Sequence, residues 1–514
     1  MKKKDGKFKL YDHFLNEWLD LDKRYDDCFE LIRKESLSKN IIYGNKKKSI
    51  EAFALALAAT LPVVNCPLIN RACDELEEIF DSRYRLISCL RKGVMYHHGS
   101  IPDTIRLYLE NLFSKSRKLR YIVCNSTLLE GVNLPIERLF IFDYTKGTSN
   151  LTSSQFKNLV GRVNRFSEVF SSEVGSALKK LESSIYLIGV DNFTNKRANL
   201  QKFYKKVAHV MQADRDSVSN VLLEATDIID EKTSERFKDA VERLENLHPG
   251  VVKGQECKYV TTEVGKLLIA NSVNEIDVFK EEEQIDQKIK VWIELNGAID
   301  GADLLMQTIK ECFIDHFDEN REYSDLIRLN RPAALSFYAM MLDWKLKQYS
   351  TKEIIRLTLR YWRKLVEDGR SDYVFVGKWG DTKYGDSHYD HWVRISTKDE
   401  AERVNLAIVR LKEEDDFFDH KIFRFVEVLN GVGAVDADFY KLIKYGTADD
   451  ITIKLIRDGF SRGLADLILA KYPEMVQVAE NGEVEINPQL VKLMIAKQES
   501  DLLVFEARMN LKSA

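Results

Sequence analysis

The residues best suited to chemistry lie between Thr152 and Arg165, TSSQFKNLVGRVNR. Thr152 and Gln155 fit a capping box, in which a hydroxyl and an amide satisfy the first free backbone N–H groups, so a helix is expected to begin there. At about 100° per residue, Phe156, Leu159, Val160 and Val163 share one stripe, while Asn158, Arg162 and Arg165 gather on the opposite side. Two arginines held on one rigid element offer planar forks that match phosphoryl oxygens, and a positioned arginine stabilises the charge of a phosphoryl group in transfer. A plain surface helix with two solvated arginines fits the same pattern.

The segments upstream supply the elements that would position this helix. Short apolar runs at 40–45 (NIIYGN), 93–100 (GVMYHHGS), within 119–143 (LRYIVC and LFIFD) and at 183–189 (SSIYLIG) alternate with helical stretches at 49–62, roughly 70–90, 101–116 and 153–165. That alternation predicts an α/β fold with a parallel sheet covered by helices. In such sheets the functional loops leave the carboxyl ends of the strands. Three polar clusters fall there: His97-His98-Gly99-Ser100, Asn125-Ser126-Thr127 with Glu130-Gly131-Val132-Asn133, and the Thr152 helix.

The order YHHG, STLLEGVNLP, NLVGRVNR resembles the last motifs of superfamily 2 (DEAD/DEAH-like) nucleic-acid helicases, in the group that moves on single strands and carries a helical accessory domain. The resemblance covers residues 37–205 well and the remainder loosely. It implies a second RecA-like lobe over 37–205. It also implies that Arg162 and Arg165 reach across to ATP and that Glu130, Gly131, Asn133 and Asn158 lie near the nucleotide. His98, Gly99, Ser126 and Thr127 would then touch DNA or RNA, expected single-stranded. The chain departs from the family with Asn158 where Gln is usual, Asn164 where Gly is usual and Asn125 where Thr is frequent. Asparagine keeps the amide at shorter reach, so the role of Asn158 survives in weakened form.

No segment matches G-x-x-x-x-G-K followed by Ser or Thr, the loop that cradles phosphates. Gly44-Asn45-Lys46-Lys47-Lys48-Ser49 lacks the second glycine and reads as a basic turn after the first strand. Asp74-Glu75-Leu76-Glu77 and Asp399-Glu400-Ala401-Glu402 imitate an acidic box but read as solvated helix faces, as does Glu413-Glu414-Asp415-Asp416. The resemblance therefore implies a half-site: an ATP-dependent motor whose first lobe, holding Mg2+, is supplied by another chain or is missing. Residues 1–36 are expected as a helical connector arriving from that lobe, an internal-looking beginning. The competing class is a noncatalytic nucleic-acid-binding or scaffold subunit of a defence complex, with a nuclease as a further partner.

Residues 206–290 read as a winged-helix or helical domain, with a Thr cap and apolar stripe at 259–273, and 291–514 as a helical accessory domain. A hairpin insertion near 371–396 interrupts it. There Trp379, Tyr384, Tyr389 and Trp392, among Lys378, Lys383 and Arg394, suit base stacking with phosphate contacts, capping of a core, or docking of a partner. Residues 441–472 resemble carboxyl-terminal helices of bacterial anti-phage helicases, including the Hachiman type, with Leu455, Leu464, Leu467 and Ile468 facing inward.

Composition adds bounds. With 514 residues and 45% hydrophobic content the chain can bury several cores, and a net charge of −4 gives no global basic field. Seven cysteines without a CxxC pair, an opening MKKKDGKFKL, and no long apolar run favour a reducing cytoplasm and no membrane. His97 and His98 lack the partners of a zinc site, so no metal is expected on this chain.

Overall fold

The computed structural model describes residues 7–12, 17–125, 134–146, 149–163, 184–188, 203, 204, 207, 260–317, 325–385, 389–479 and 483–511. Its organising element is a five-stranded, all-parallel sheet of β3 (Asn40–Tyr43), β4 (Val94–His97), β5 (Tyr121–Cys124), β6 (Arg138–Ile141) and β9 (Ile185–Leu187). The spatial order is β4-β5-β3-β6-β9. Each of the first four strands is a nearly unbroken apolar run, as a strand covered on both faces requires, and β3, β4 and β5 are buried at every position. The α/β, RecA-like lobe read from the sequence is thus the fold.

Helices α2 (Lys47–Ala59), α3 (Pro67–Ile79), α4 (Arg85–Leu90) and α5 (Asp103–Lys115) form the crossovers. Because the chain passes outward from β3 to β4 and then back across to β6, strand order reverses around β3. The ends of β3, β4 and β5 therefore lie side by side at the carboxyl edge, where such sheets place their functional loops. Gly44 is required there: a Cβ would stand 2.2 Å from the Phe142 ring, which stacks on Phe53 with centroids 4.4 Å apart.

The expected helical connector over 1–36 is corrected. Residues 7–24 form an antiparallel hairpin, β1 (Lys7–Asp12) with β2 (Glu17–Arg24), and only α1 (Cys28–Glu35) is helical. KFKLYD and EWLDLDKR alternate apolar and polar residues with period two, and that local pattern prevails over the looser helical spacing.

The boundary at residue 291 is also revised. The helices Thr351–Glu367 and Glu400–Phe417, with the hairpin β10 (Tyr373–Phe375) and β11 (Trp392–Arg394), bury Ile355, Trp362, Val374, Val393 and Val404 in the core of the sheet lobe. A second core gathers helices between 263 and 346 and between 423 and 445, and a third holds 455–507. Leu455, Leu464 and Ile468 are fully buried in the third and Leu467 packs against it. Thr262 caps the helix Glu263–Ala270 by accepting from the Gly265 N–H. Residues 208–259, most of the stretch read as a winged-helix domain, lie outside the described residues.

One helical course, Glu400–Phe417, the π turn Phe418–Ile422 and Phe423–Gly431, runs without interruption from the first core into the second. Among the described residues no helix is long and apolar enough to cross a membrane.

Candidate functional site

The capping box forms as the sequence requires: Thr152 Oγ1 accepts from the Gln155 N–H at 3.2 Å and Gln155 Oε1 accepts from the Thr152 N–H at 3.1 Å. It starts α6 (Ser153–Val160), after which a turn carries the chain through Arg162 and Val163. Phe156, Leu159 and Val163 are buried and Asn158 is exposed on the opposite side, so the apolar stripe orients the helix. Arg162 is half-buried and sits close enough to the end of β5 to act on Cys124: burial pushes that thiol well above its ordinary range, and the guanidinium pulls it partly back. Cys124 is the last residue of β5, immediately before Asn125. Ser126, Thr127, Glu130, Gly131, Asn133 and Arg165 lie outside the described residues.

The two histidines at the end of β4 are both buried, in different company. His97 Nε2 meets Glu110 Oε1 at 2.6 Å, and its Nδ1 has no hydrogen-bond partner among the described residues. A proton on Nδ1 would be a buried donor without an acceptor, so burial holds the His97 pKa below the ordinary histidine value of 6.5. His98 Nε2 lies 3.0 Å from Glu51 Oε1, and its Nδ1 accepts from the Ser100 N–H at 3.3 Å. The ring lies between Tyr96 and Trp379, with centroids 5.6 and 5.4 Å away. No edge of the His98 ring faces solvent, while Gly99 next to it is partly exposed. The described position thus makes His98 a support of the loop.

The polar network continues into the region beyond residue 350. Glu51 Oε2 accepts from Asn405 Nδ2 at 2.6 Å, and Asn405 Oδ1 accepts from the Tyr96 hydroxyl at 3.3 Å. Glu413 Oε1 accepts from Lys47 Nζ at 3.1 Å, Ser100 Oγ at 3.0 Å and the Trp379 indole N–H at 3.0 Å. The expectation of a solvated face at Glu413-Glu414-Asp415-Asp416 is therefore corrected, since Glu414 is also buried, accepting from the Tyr338 hydroxyl at 2.5 Å and pairing with Arg328 at 3.3 Å. The expected basic turn is instead the start of α2, and it is a clamp: Lys47 serves Ser100 and Glu413, and Lys48 reaches the carbonyls of Trp379 and Gly380.

Neither acidic look-alike is merely solvated. Asp399 and Glu402 cap the helix Glu400–Phe417 as a box, and Glu75 accepts from Ser500 Oγ and the Asp501 N–H at the start of the helix Asp501–Leu511. Nothing in the sequence marked Glu51 or Asn405 as partners of the histidines; a carboxylate on the apolar face of α2 was the available signal. No cluster of three or more metal-ligating side chains occurs among the described residues.

No family model matches the chain. Over 108 residues it is 31% identical to anti-bacteriophage protein B of Escherichia coli K12, a match taking in 21% of this chain and 15% of that protein. Over 263 residues it is 24% identical to ATP-dependent DNA helicase Hel308 of Thermoplasma volcanium, covering 44% of this chain and 38% of the relative. A helicase POLQ-like protein of Caenorhabditis elegans is 32% identical over 146 residues, covering 26% and 15%. The chain thus spans less than two-fifths of the length of each of these relatives.

Proposed function

We propose that this chain, similar over part of its length to ATP-dependent DNA helicase Hel308 and a helicase POLQ-like protein, acts as the second motor lobe, with accessory domains, of an ATP-dependent helicase or translocase on single-stranded nucleic acid. The observation that supports the reading is a half-buried Arg162 near enough to the end of β5 for its charge to act on Cys124. A capped helix with a buried apolar stripe holds it there.

Bound ATP with Mg2+ would supply the phosphoanhydride whose cleavage drives the cycle, the metal being held by a first lobe from outside these residues. Arg162 and Arg165 bring forked positive charge to the phosphoryl oxygens, where charge develops on transfer. Glu130, Gly131, Asn133 and the Asn158 amide line the nucleotide side. Ser126, Thr127 and the Gly99 backbone hold the nucleic-acid backbone, and opening and closing of the cleft shifts that grip. The sheet edge fits this use, because the ends of β3, β4 and β5 lie side by side there and Arg162 follows directly on the capped helix α6.

The test is reconstitution. The 514-residue chain alone is expected to show no nucleic-acid-stimulated ATP hydrolysis, and a first-lobe polypeptide to restore it. Arg162→Ala should then lower restored turnover by about 10³-fold or more, and Arg162→Lys should recover little, since a point charge does not reproduce the fork. Robust turnover without a partner, or turnover indifferent to Arg162→Ala, overturns the half-site.

A second reading is favoured by the likeness to anti-bacteriophage protein B. In it the chain is a noncatalytic nucleic-acid-binding subunit of a defence complex, alongside a nuclease. Reconstituted turnover decides against it.

A further inference from the structure

The hairpin β10–β11 has two unlike faces. Val374, Val376, Val393 and Ile395 point inward and are buried in the lobe core. Strand geometry turns the alternate residues outward, where a solvated sheet ordinarily places polar side chains. Here Tyr373, Phe375 and Trp392 occupy those positions, partly exposed, and the exposed Tyr384 from the connecting loop lies across them. The rings form a continuous strip: Tyr384 stacks on Tyr373 with centroids 4.5 Å apart at 18°, meets Trp392 at 5.1 Å, and Trp392 meets Phe375 at 5.5 Å.

From this we infer that the outward face of the hairpin is a base-stacking platform for single-stranded nucleic acid, continuing the path that leaves the Gly99 loop. The inference rests on the nucleic-acid-binding part of the reading above and is independent of its motor part. Three observations favour nucleic acid as the occupant. Exposed Arg394 lies 6.0 Å over the Tyr373 ring, and exposed Lys383 adjoins Tyr384 in sequence, so cations flank the aromatic faces as stacking on a charged strand requires. Of the nearby acids, Asp372 is engaged by Arg394 at 3.4 Å and Asp381 by Lys398 at 2.6 Å, while Asp390 is exposed. The platform is also anchored to the carboxyl edge, since buried Trp379 packs on His98 and Lys48 bonds the carbonyls beside it. Trp379 belongs to that anchor and is withdrawn from the stacking set.

Base stacking is tolerant of sequence because every base has an aromatic face, and each stacked base contributes roughly a fivefold to hundredfold change in affinity. The full chain is titrated with a fluorescein-labelled oligothymidylate of about twenty nucleotides and with an abasic strand of equal length, which keeps the phosphates and lacks the bases. The wild type is expected to prefer oligothymidylate by about tenfold or more. The Tyr384→Ala, Trp392→Ala pair should lose that preference while binding the abasic strand as before, and Tyr384→Phe, Trp392→Phe should retain most of it. Because the alanine pair could disturb folding, quenching of tryptophan fluorescence by oligothymidylate is read in parallel, and Trp392→Phe should remove most of it. An alanine pair that still discriminates, quenching unaltered by Trp392→Phe, or a wild type that ignores the bases overturns the platform; a peptide or a second copy as occupant would give the first two results. Arg162→Ala, which tests the motor, should leave base discrimination intact.

Discussion

His97 shows how a single buried ring fixes a pH dependence. Its folded pKa lies below 6.5, so between the two values the unfolded chain binds more protons than the folded one. Stability contributed by the neutral ring is therefore complete above the ordinary histidine range and is lost as the pH falls below it. The melting temperature should drop as the buffer goes from about pH 7.5 to about 5.5, and drop less in His97→Gln, which cannot take up the proton; equal slopes would remove the assignment. His98 makes the complementary case. His98→Ala leaves the buried Glu51 with Asn405 alone and opens a gap between Tyr96 and Trp379. Leaving a buried acceptor short of a hydrogen bond costs about 1–3 kcal/mol, so the denaturant midpoint should fall by a readily measured step.

At the scale of elements, caps and clamps do what strand propensity cannot. Thr152→Ala removes half of the capping box and should cost about 1 kcal/mol locally. Its larger effect is expected on restored ATP hydrolysis, because a frayed start lets the Arg162 turn wander; unchanged turnover with a lowered melting temperature would confine Thr152 to a structural role.

What could be read beforehand follows the same division. The parallel strands declared themselves through unbroken apolar runs bounded by glycine and polar turns, and the capping box through spacing alone, because each is local. The hairpin 7–24 was obscured because apolar residues dense enough for a period of two also satisfy part of a helical period. Glu413 and Asn405 could not be read as partners of Lys47 and Glu51, which lie more than 350 positions away. Charge runs look alike in sequence whether they meet solvent or another element.

For the whole molecule, the sheet lobe and the helices beyond residue 350 share one core. A polypeptide limited to residues 37–205 gives up the apolar cover supplied by Ile355, Leu359, Trp362 and Val404. It should fail to unfold cooperatively, and addition of 351–417 in trans should recover a sharp transition. A sharp, reversible transition in the isolated segment would show that the lobe closes its core unaided.

The helical course from Glu400 to Gly431 begins on the sheet lobe and finishes inside the second core. A rod gripped at both ends transmits torque: rotation of the lobe turns the distant bundle with it unless the rod yields. Its one wider coil, Phe418–Ile422, falls where it enters the second core and is the place for a hinge. Any rotation of one core relative to the other would then be concentrated at that coil, with no intervening loop to absorb it.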